Sequence, residues 1–217
     1  MIPFKDNIPT ERTPFVTLAL IAANVIVFLI VGSGSHEMLS GGAVPHALTH
    51  SGARWGTLFS SMFLHASIVQ LAGNMLFLWM FGNTIEDDVG HAKFLAVYVL
   101  GGLATLALQV AAEPNSLAPI VGAEGAVAAV LGGYIVLHPR GQVLTLVLIP
   151  FFFTVIEVPA PIMVAVWFAM QVAFAAVGLT DPVGATSAGA YFASVAGFAL
   201  GALAIPRLTR RRDPVAA

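Results

Sequence analysis

No cysteine occurs among the 217 residues, which removes disulfides, thiol nucleophiles, iron–sulfur ligation and Cys-type zinc sites together. Charge is nearly as scarce. Asp, Glu, Lys and Arg make up 9% of the chain, against roughly 25% in an average soluble domain. Nine basic residues oppose eleven acidic ones for a net charge of −2. No basic stripe tracks a phosphate backbone, so nucleic acid is not an expected partner. Between Arg140 and Arg207 the only charges are Glu157 and Asp181, and such a stretch has the composition of a segment dissolved in lipid.

Apolar residues fill the space that charge leaves, at 58% of the chain. They fall into runs at 15–31, 58–82, 94–112, 121–137, 143–156, 160–178 and 188–205. A helix needs about 20 apolar residues to cross about 30 Å of hydrocarbon. The first run has no small-residue cleavage site behind it and is followed by others, so it reads as a retained anchor rather than a removable signal. The run 143–156 is short, holds Pro150 in its middle and ends at Glu157, with Pro159 and Pro161 close behind. It is expected to be a re-entrant or interfacial segment before the fifth helix.

The fold class that follows is an all-α membrane protein with six transmembrane helices. The basic residues agree with that count. Six crossings place Lys5, Arg12, Lys93, Arg140, Arg207, Arg210, Arg211 and Arg212 on the cytoplasmic side and only Arg54 outside, as the positive-inside rule requires. A seventh crossing would put the four C-terminal arginines outside. Residues 1–14 are then a cytoplasmic N-terminal segment, 15–206 the membrane domain and 207–217 a basic cytoplasmic tail. The external loop 33–57 carries Trp55 near its return to the membrane. Arg outnumbers Lys seven to two and Ala, Val and Gly abound, a usage that points to a GC-rich bacterial genome and hence to a bacterial plasma membrane.

Small residues are placed for close helix contact. Gly122, Gly125, Ala129, Gly132 and Gly133 follow one face of the fourth helix, and Gly197 and Gly201 form a GxxxG in the sixth. Polar residues at membrane depth are costly and are the place to look for function. Gln70 and Asn74 stand one turn apart in the second helix, with His65 just before them. Glu124 opens the fourth helix in VGAEGAVAAVLGGY, and Ser194 lies in the sixth in AYFASVAGFALG. These side chains, from three helices, are expected to converge near the external third of the bilayer. Gln70 and Asn74 also read as glue between helices, and Ser194 as a packing residue bonded to the carbonyl one turn back. A carboxylate inside a span costs about 2.5–3.5 kcal/mol, so Glu124 has to be protonated, paired or wet. The histidines show no HExxH and no HxxxH pair is expected on a helix. His36, His46 and His50 read as solvated loop residues, and neither metal nor cofactor is expected.

At these residues the sequence resembles the rhomboid family of intramembrane serine proteases. The likeness runs through PFVTLALIAANVIVFLIV, LFSSMFLHASIVQLAGNMLFLWMFGNTIEDDVGHAKFL, VGAEGAVAAVLGGYIVLHPRGQVLTLVLIPFFFTVIEVPA, VWFAMQ and AYFASVAGFALGAL. The resemblance implies a six-helix core, with the loop 33–57 embedded in the outer leaflet and a mobile fifth helix beside the site. It also implies a nucleophilic serine in a GxSG motif opening the fourth helix, a base histidine in the sixth, and an oxyanion histidine and asparagine in the second. In this chain those positions hold Glu124, Ser194 and Gln70; Asn74 alone is retained. His65 matches a further histidine regarded as structural, and Glu86 matches the acid that ties down the NTIEDD loop. The Trp-Arg pair common before the second helix is replaced by Gly56 and Thr57.

Serine hydrolysis needs an oxygen nucleophile within reach of a base that titrates near working pH. A carboxylic acid at the nucleophile position and a hydroxyl at the base position cannot run it. The chemistry that remains is that of a pseudoprotease whose partners are the lipid bilayer and the transmembrane segments of client proteins. A Glu124–Ser194 hydrogen bond is expected to tie the fourth helix to the sixth. The alternatives are a rearranged endopeptidase in which Ser194 attacks and Glu124 acts as base, a proton-coupled transporter titrating Glu124, and a structural membrane scaffold.

Overall fold

The computed structural model describes residues 2–32, 35, 40–50, 55–149, 152–177 and 188–209. His36, Arg54, Pro150, Asp181, Arg210, Arg211 and Arg212, with the expectations attached to them, lie outside the described residues.

Six long helices follow the apolar runs: α1 (Phe15–Val31), α2 (Ile68–Val89), α3 (His91–Ala112), α4 (Glu124–Leu137), α5 (Ala160–Val177) and α6 (Ala188–Leu208). The α2 start is set by Ser67, whose hydroxyl accepts the Gln70 N–H at 3.1 Å, a side-chain cap on an otherwise orphaned amide. Its end is set by Gly90, whose φ of 87° favours glycine, and α3 begins at the next residue. Among the described residues, α2 and α3, at 22 residues each, are long and apolar enough to cross a membrane, while α1, α4 and parts of α5 and α6 are shorter apolar helices.

The centre of the bundle is α4, packed by α2, α3 and α6. Ala126, Val127, Ala128, Ala129, Val130 and Leu131 are all completely buried, as befits a helix that is apolar all round. The small-residue faces read from the sequence do meet. A Cβ on Gly197 would strike the Gly125 carbonyl, one on Gly201 the Ala129 carbonyl, and one on Gly132 the Phe198 carbonyl. The α4 and α6 backbones thus approach as closely as glycine permits.

The all-α expectation is wrong in one region. Residues expected to form a re-entrant or interfacial segment are a β-hairpin, with β2 (Gln142–Ile149) antiparallel to β3 (Phe152–Pro159), Leu144 opposite Glu157 and Thr145 opposite Ile156. A third strand, β1 (Ile2–Asp6), pairs antiparallel on the other side of β2, with Asp6 opposite Val143. The cause is local: VLTLVLI and FFTVIEVP are rich in β-branched and aromatic residues, which fit a pleated surface, and a proline between them bars a continuous helix. The molecule is therefore mostly helical, with a three-stranded sheet at one end.

That sheet is pinned to the bundle by polar groups. Asp6 Oδ2 accepts the Thr84 hydroxyl at 2.6 Å and the Tyr134 hydroxyl at 3.0 Å, and the Trp79 indole N–H donates to the Phe4 carbonyl at 3.1 Å. Asn7 Oδ1 accepts the Gln142 N–H at 2.9 Å. Burial raises the Asp6 carboxyl above its ordinary value, against the lowering effect of the Thr84 and Tyr134 bonds. The residues before α1 are thus built into the fold.

Glu86 lies in the last turn and a half of α2 rather than in a loop. Its carboxylate takes the Val16 N–H at 2.8 Å, the Thr17 N–H and hydroxyl both at 2.7 Å, and His91 Nδ1 at 2.5 Å. It holds the N-terminus of α1, where free amides and the helix dipole favour an anion.

Candidate functional site

At the end of the bundle away from the sheet, the first turns of α2 and α4 bring polar side chains together. The approach to α4 is fixed by backbone. The Gly122 N–H donates to the Ser61 carbonyl at 2.9 Å, and Gly122 has a φ of 125°, a conformation open to glycine. A Cβ there would collide with the Glu124 and Gln70 side chains, so this glycine lets the two meet. Gly125, one residue on from Glu124, sits against Thr105 with no room for a side chain.

Glu124 is the hub. Its Oε1 accepts Gln70 Nε2–H at 2.7 Å and Asn74 Nδ2–H at 3.2 Å. Gln70 is itself fully engaged: Nε2 also donates to the Val121 carbonyl at 3.2 Å, and Oε1 accepts the Ala66 N–H at 2.6 Å. Asn74 Nδ2 lies 3.3 Å from His65 Nε2, so His65 is joined to the same network and is 1% exposed. The carboxylate stands in the first turn of α4, where the helix dipole adds to the two amide donors. These two amide donors hold Oε1 of the part-buried carboxyl group in place.

Ser194 reaches the same place without joining the network. Its side chain lines a cavity of about 40 Å³ with Ser61, Gln70, Thr105, Gln109 and Glu124. It is completely buried and its Oγ has no hydrogen-bond partner. The expected Glu124–Ser194 bond is therefore not formed, and neither is a bond from Ser194 to the carbonyl one turn back. The link between α4 and α6 is made instead by close backbone approach, and α6 is tied to α3 by the Gly197 N–H donating to Thr105 Oγ1 at 3.1 Å. At a minimum of about 10–15 Å³ per water, the cavity suits a few waters and is far too small for a peptide segment.

Thr105 and Gln109 were not singled out from the sequence. The signal was present, since they stand four residues apart in the apolar run LATLALQVAA, the same spacing that drew attention to Gln70 and Asn74. A second omission concerns the histidines. His46 and His50 do not lie in irregular loop: residues Pro45–His50 form a short helix, so HALTH is an HxxxH pair on a helix. The two rings stack at 4.4 Å.

Residues 52–211 of the chain match the family described as Rhomboid domain. The chain is 32% identical over 134 residues to the Rhomboid protease GluP of Bacillus subtilis, covering 58% of this chain and 26% of that protein. It is 30% identical over 137 residues to the human Presenilin-associated rhomboid-like protein, mitochondrial, covering 61% and 35%. Against the Rhomboid protein 1, mitochondrial, of Saccharomyces cerevisiae it is 32% identical over 95 residues, covering 42% and 28%. The chain thus spans about a third or less of the length of these relatives.

Proposed function

Because the chain belongs to the rhomboid family of integral membrane proteins, we propose that it is a non-cleaving member that binds transmembrane segments of client proteins. The observation that carries this reading is the state of Glu124, at the position where the family places its serine. Gln70 and Asn74 both donate to its Oε1. In an active site the corresponding groups would face a developing oxyanion; here they are occupied by a resident carboxylate. Ser194, at the base position, has a hydroxyl without a partner, and a hydroxyl is no base at physiological pH. Loss of one member of a catalytic unit typically costs about 10⁶ in turnover, and three of the four positions differ.

The rearranged pair, with Ser194 attacking and Glu124 as base, has no support in the geometry, since a base must be in hydrogen-bond reach of its nucleophile and these two are not bonded. A client helix has no room in the small cavity and lies instead along the outside of the bundle. There α2 exposes Ile68, Val69 and Trp79, and α5 exposes Ile162, Val166 and Val172. The basic-residue bias supports six membrane crossings with both chain termini cytoplasmic.

The test is proteolysis of a generic rhomboid transmembrane substrate by the purified protein in liposomes, beside Ser194→Ala. The expected result is no cleavage by either protein, with the intact substrate co-purifying. Cleavage by the parent that disappears in Ser194→Ala would overturn the proposal and establish a Ser–Glu enzyme.

A further inference from the structure

The helix Pro45–His50 lies outside the Glu124 network and has no part in the reading above. It is held in place from two directions. The His46 N–H donates to the Ser116 carbonyl at 3.0 Å, and the Thr49 hydroxyl lies 2.9 Å from the Pro114 carbonyl. Just before it, Ala43 and Ile120 form a two-way bridge, with N–H···O distances of 3.0 and 2.8 Å. The helix is thus docked onto the segment that leads from α3 to Glu124.

On its exposed face His46 and His50 are one turn apart, and their rings lie nearly parallel, 16° between planes, with centroids 4.4 Å apart. Two histidines at this spacing on a helix can reach one metal ion. The second shell is also in place. His50 Nδ1 lies 2.8 Å from Thr49 Oγ1 and 3.2 Å from the His46 carbonyl. With the Thr49 proton serving the Pro114 or Pro45 carbonyl, at 2.9 and 3.0 Å, both can accept an Nδ1–H. That tautomer leaves the His50 Nε2 lone pair free, the arrangement in which a metal-binding histidine is normally oriented by a carbonyl or hydroxyl behind it. The stacked rings share no in-plane point as they stand, so binding requires the exposed His46 ring, whose side chain makes no hydrogen bond among the described residues, to rotate out of the stack and bring a nitrogen to the same ion at about 2.0–2.1 Å.

We propose that His46 and His50 form a binding site for a divalent late first-row metal ion, with zinc as the representative. Two neutral imidazoles select this class over magnesium or calcium. Two protein ligands leave the remaining positions to water, so the site is an open one. Its occupation links the two ends of the helix, and through the Ala43–Ile120 bridge and the Thr49–Pro114 contact it stiffens the segment that positions Glu124.

The measurement is calorimetric titration of the tag-free protein in detergent with Zn²⁺ alone, with a melting curve recorded with and without the ion. One saturable Zn²⁺ site is expected, with a rise of several degrees in melting temperature. His46→Ala and His50→Ala should each weaken binding at least tenfold, and Thr49→Val less. The two histidines are exposed, so His46→Ala and His50→Ala should melt like the parent without metal. The proposal is overturned by the absence of saturable binding, by undiminished affinity in the double variant, which would place the ion at His91 or His138, or by loss in only one single variant, which would deny a shared ion.

Discussion

The sharpest energetic consequence of the fold concerns Glu86. Its side chain is 1% exposed and takes four donors, two of them backbone amides of the first turn of α1. Glu86→Ala removes every one of these bonds and leaves the Val16 and Thr17 amides without an acceptor beside a newly opened space. A hydrogen bond to a charged group contributes about 1.5–3 kcal/mol, and an orphaned buried donor costs about 1–3 kcal/mol. These terms overlap, because one carboxylate serves all four donors, so the loss expected is about 3–5 kcal/mol, as for other broken buried networks. At roughly 2–4 °C per kcal/mol for a domain of this size, the melting temperature should fall by about 6–20 °C. Asp87 supplies the comparison. It is itself buried, but the Glu11 and Arg12 amides that it accepts at 3.2 and 3.1 Å belong to exposed residues and can turn to water, so Asp87→Ala should cost less. Both variants are read by thermal unfolding of the purified protein in one detergent. A Glu86→Ala protein melting within about 2 °C of the parent, or an Asp87→Ala protein falling as far as Glu86→Ala, would refute the reasoning.

Two further predictions concern glycine and pH. Gly201→Ala drives a methyl group into the Ala129 carbonyl, which belongs to a helix buried on all sides, and should destabilise by about 1–3 kcal/mol; Gly73→Ala adds the same methyl in α2 where nothing lies within 4 Å and should be neutral or stabilising by up to about 1 kcal/mol. Equal melting shifts for the two would contradict the packing assigned to α4 and α6. For Asp6, whose carboxyl burial raises above its ordinary value, the folded state prefers the protonated form. Its contribution to stability is fully present below the ordinary carboxylate range and is lost as pH rises through the raised folded value. Asp6→Asn removes this dependence, so the stability difference between parent and variant must change across the acidic range; a pH-independent difference in denaturant midpoints would show that Asp6 does not titrate in this way.

The helical part of the molecule was legible because apolar runs, glycine faces and intramembrane polar residues each constrain it. Gln70, Asn74 and Glu124 could be expected to meet because three polar groups in apolar surroundings have few other partners. The Glu124–Ser194 bond could not be judged in the same way. Which acceptor a hydroxyl finds is settled by a fraction of a helical turn, and Gln70 and Asn74 on α2 were nearer to the carboxylate. The hairpin Gln142–Pro159 was hidden because a short apolar run fits a strand or a membrane segment equally well, and the deciding cue was its content of Val, Ile, Thr and Phe. Likewise the helix Pro45–His50 carries no apolar period of its own; it is fixed by contacts with residues 114–120, some 70 positions away in the chain.

The three-stranded sheet also bears on how the chain reaches its final form. β1 precedes in the chain every partner that holds it: Trp79 and Thr84 in α2, Tyr134 in α4, and the whole of β2. Until Gln142–Pro159 has left the ribosome, residues 2–6 have no strand to join. This segment is therefore made well before it can settle. Its docking records that α2, α4 and the hairpin are already in place, much as a clasp can close only when both sides have been brought together.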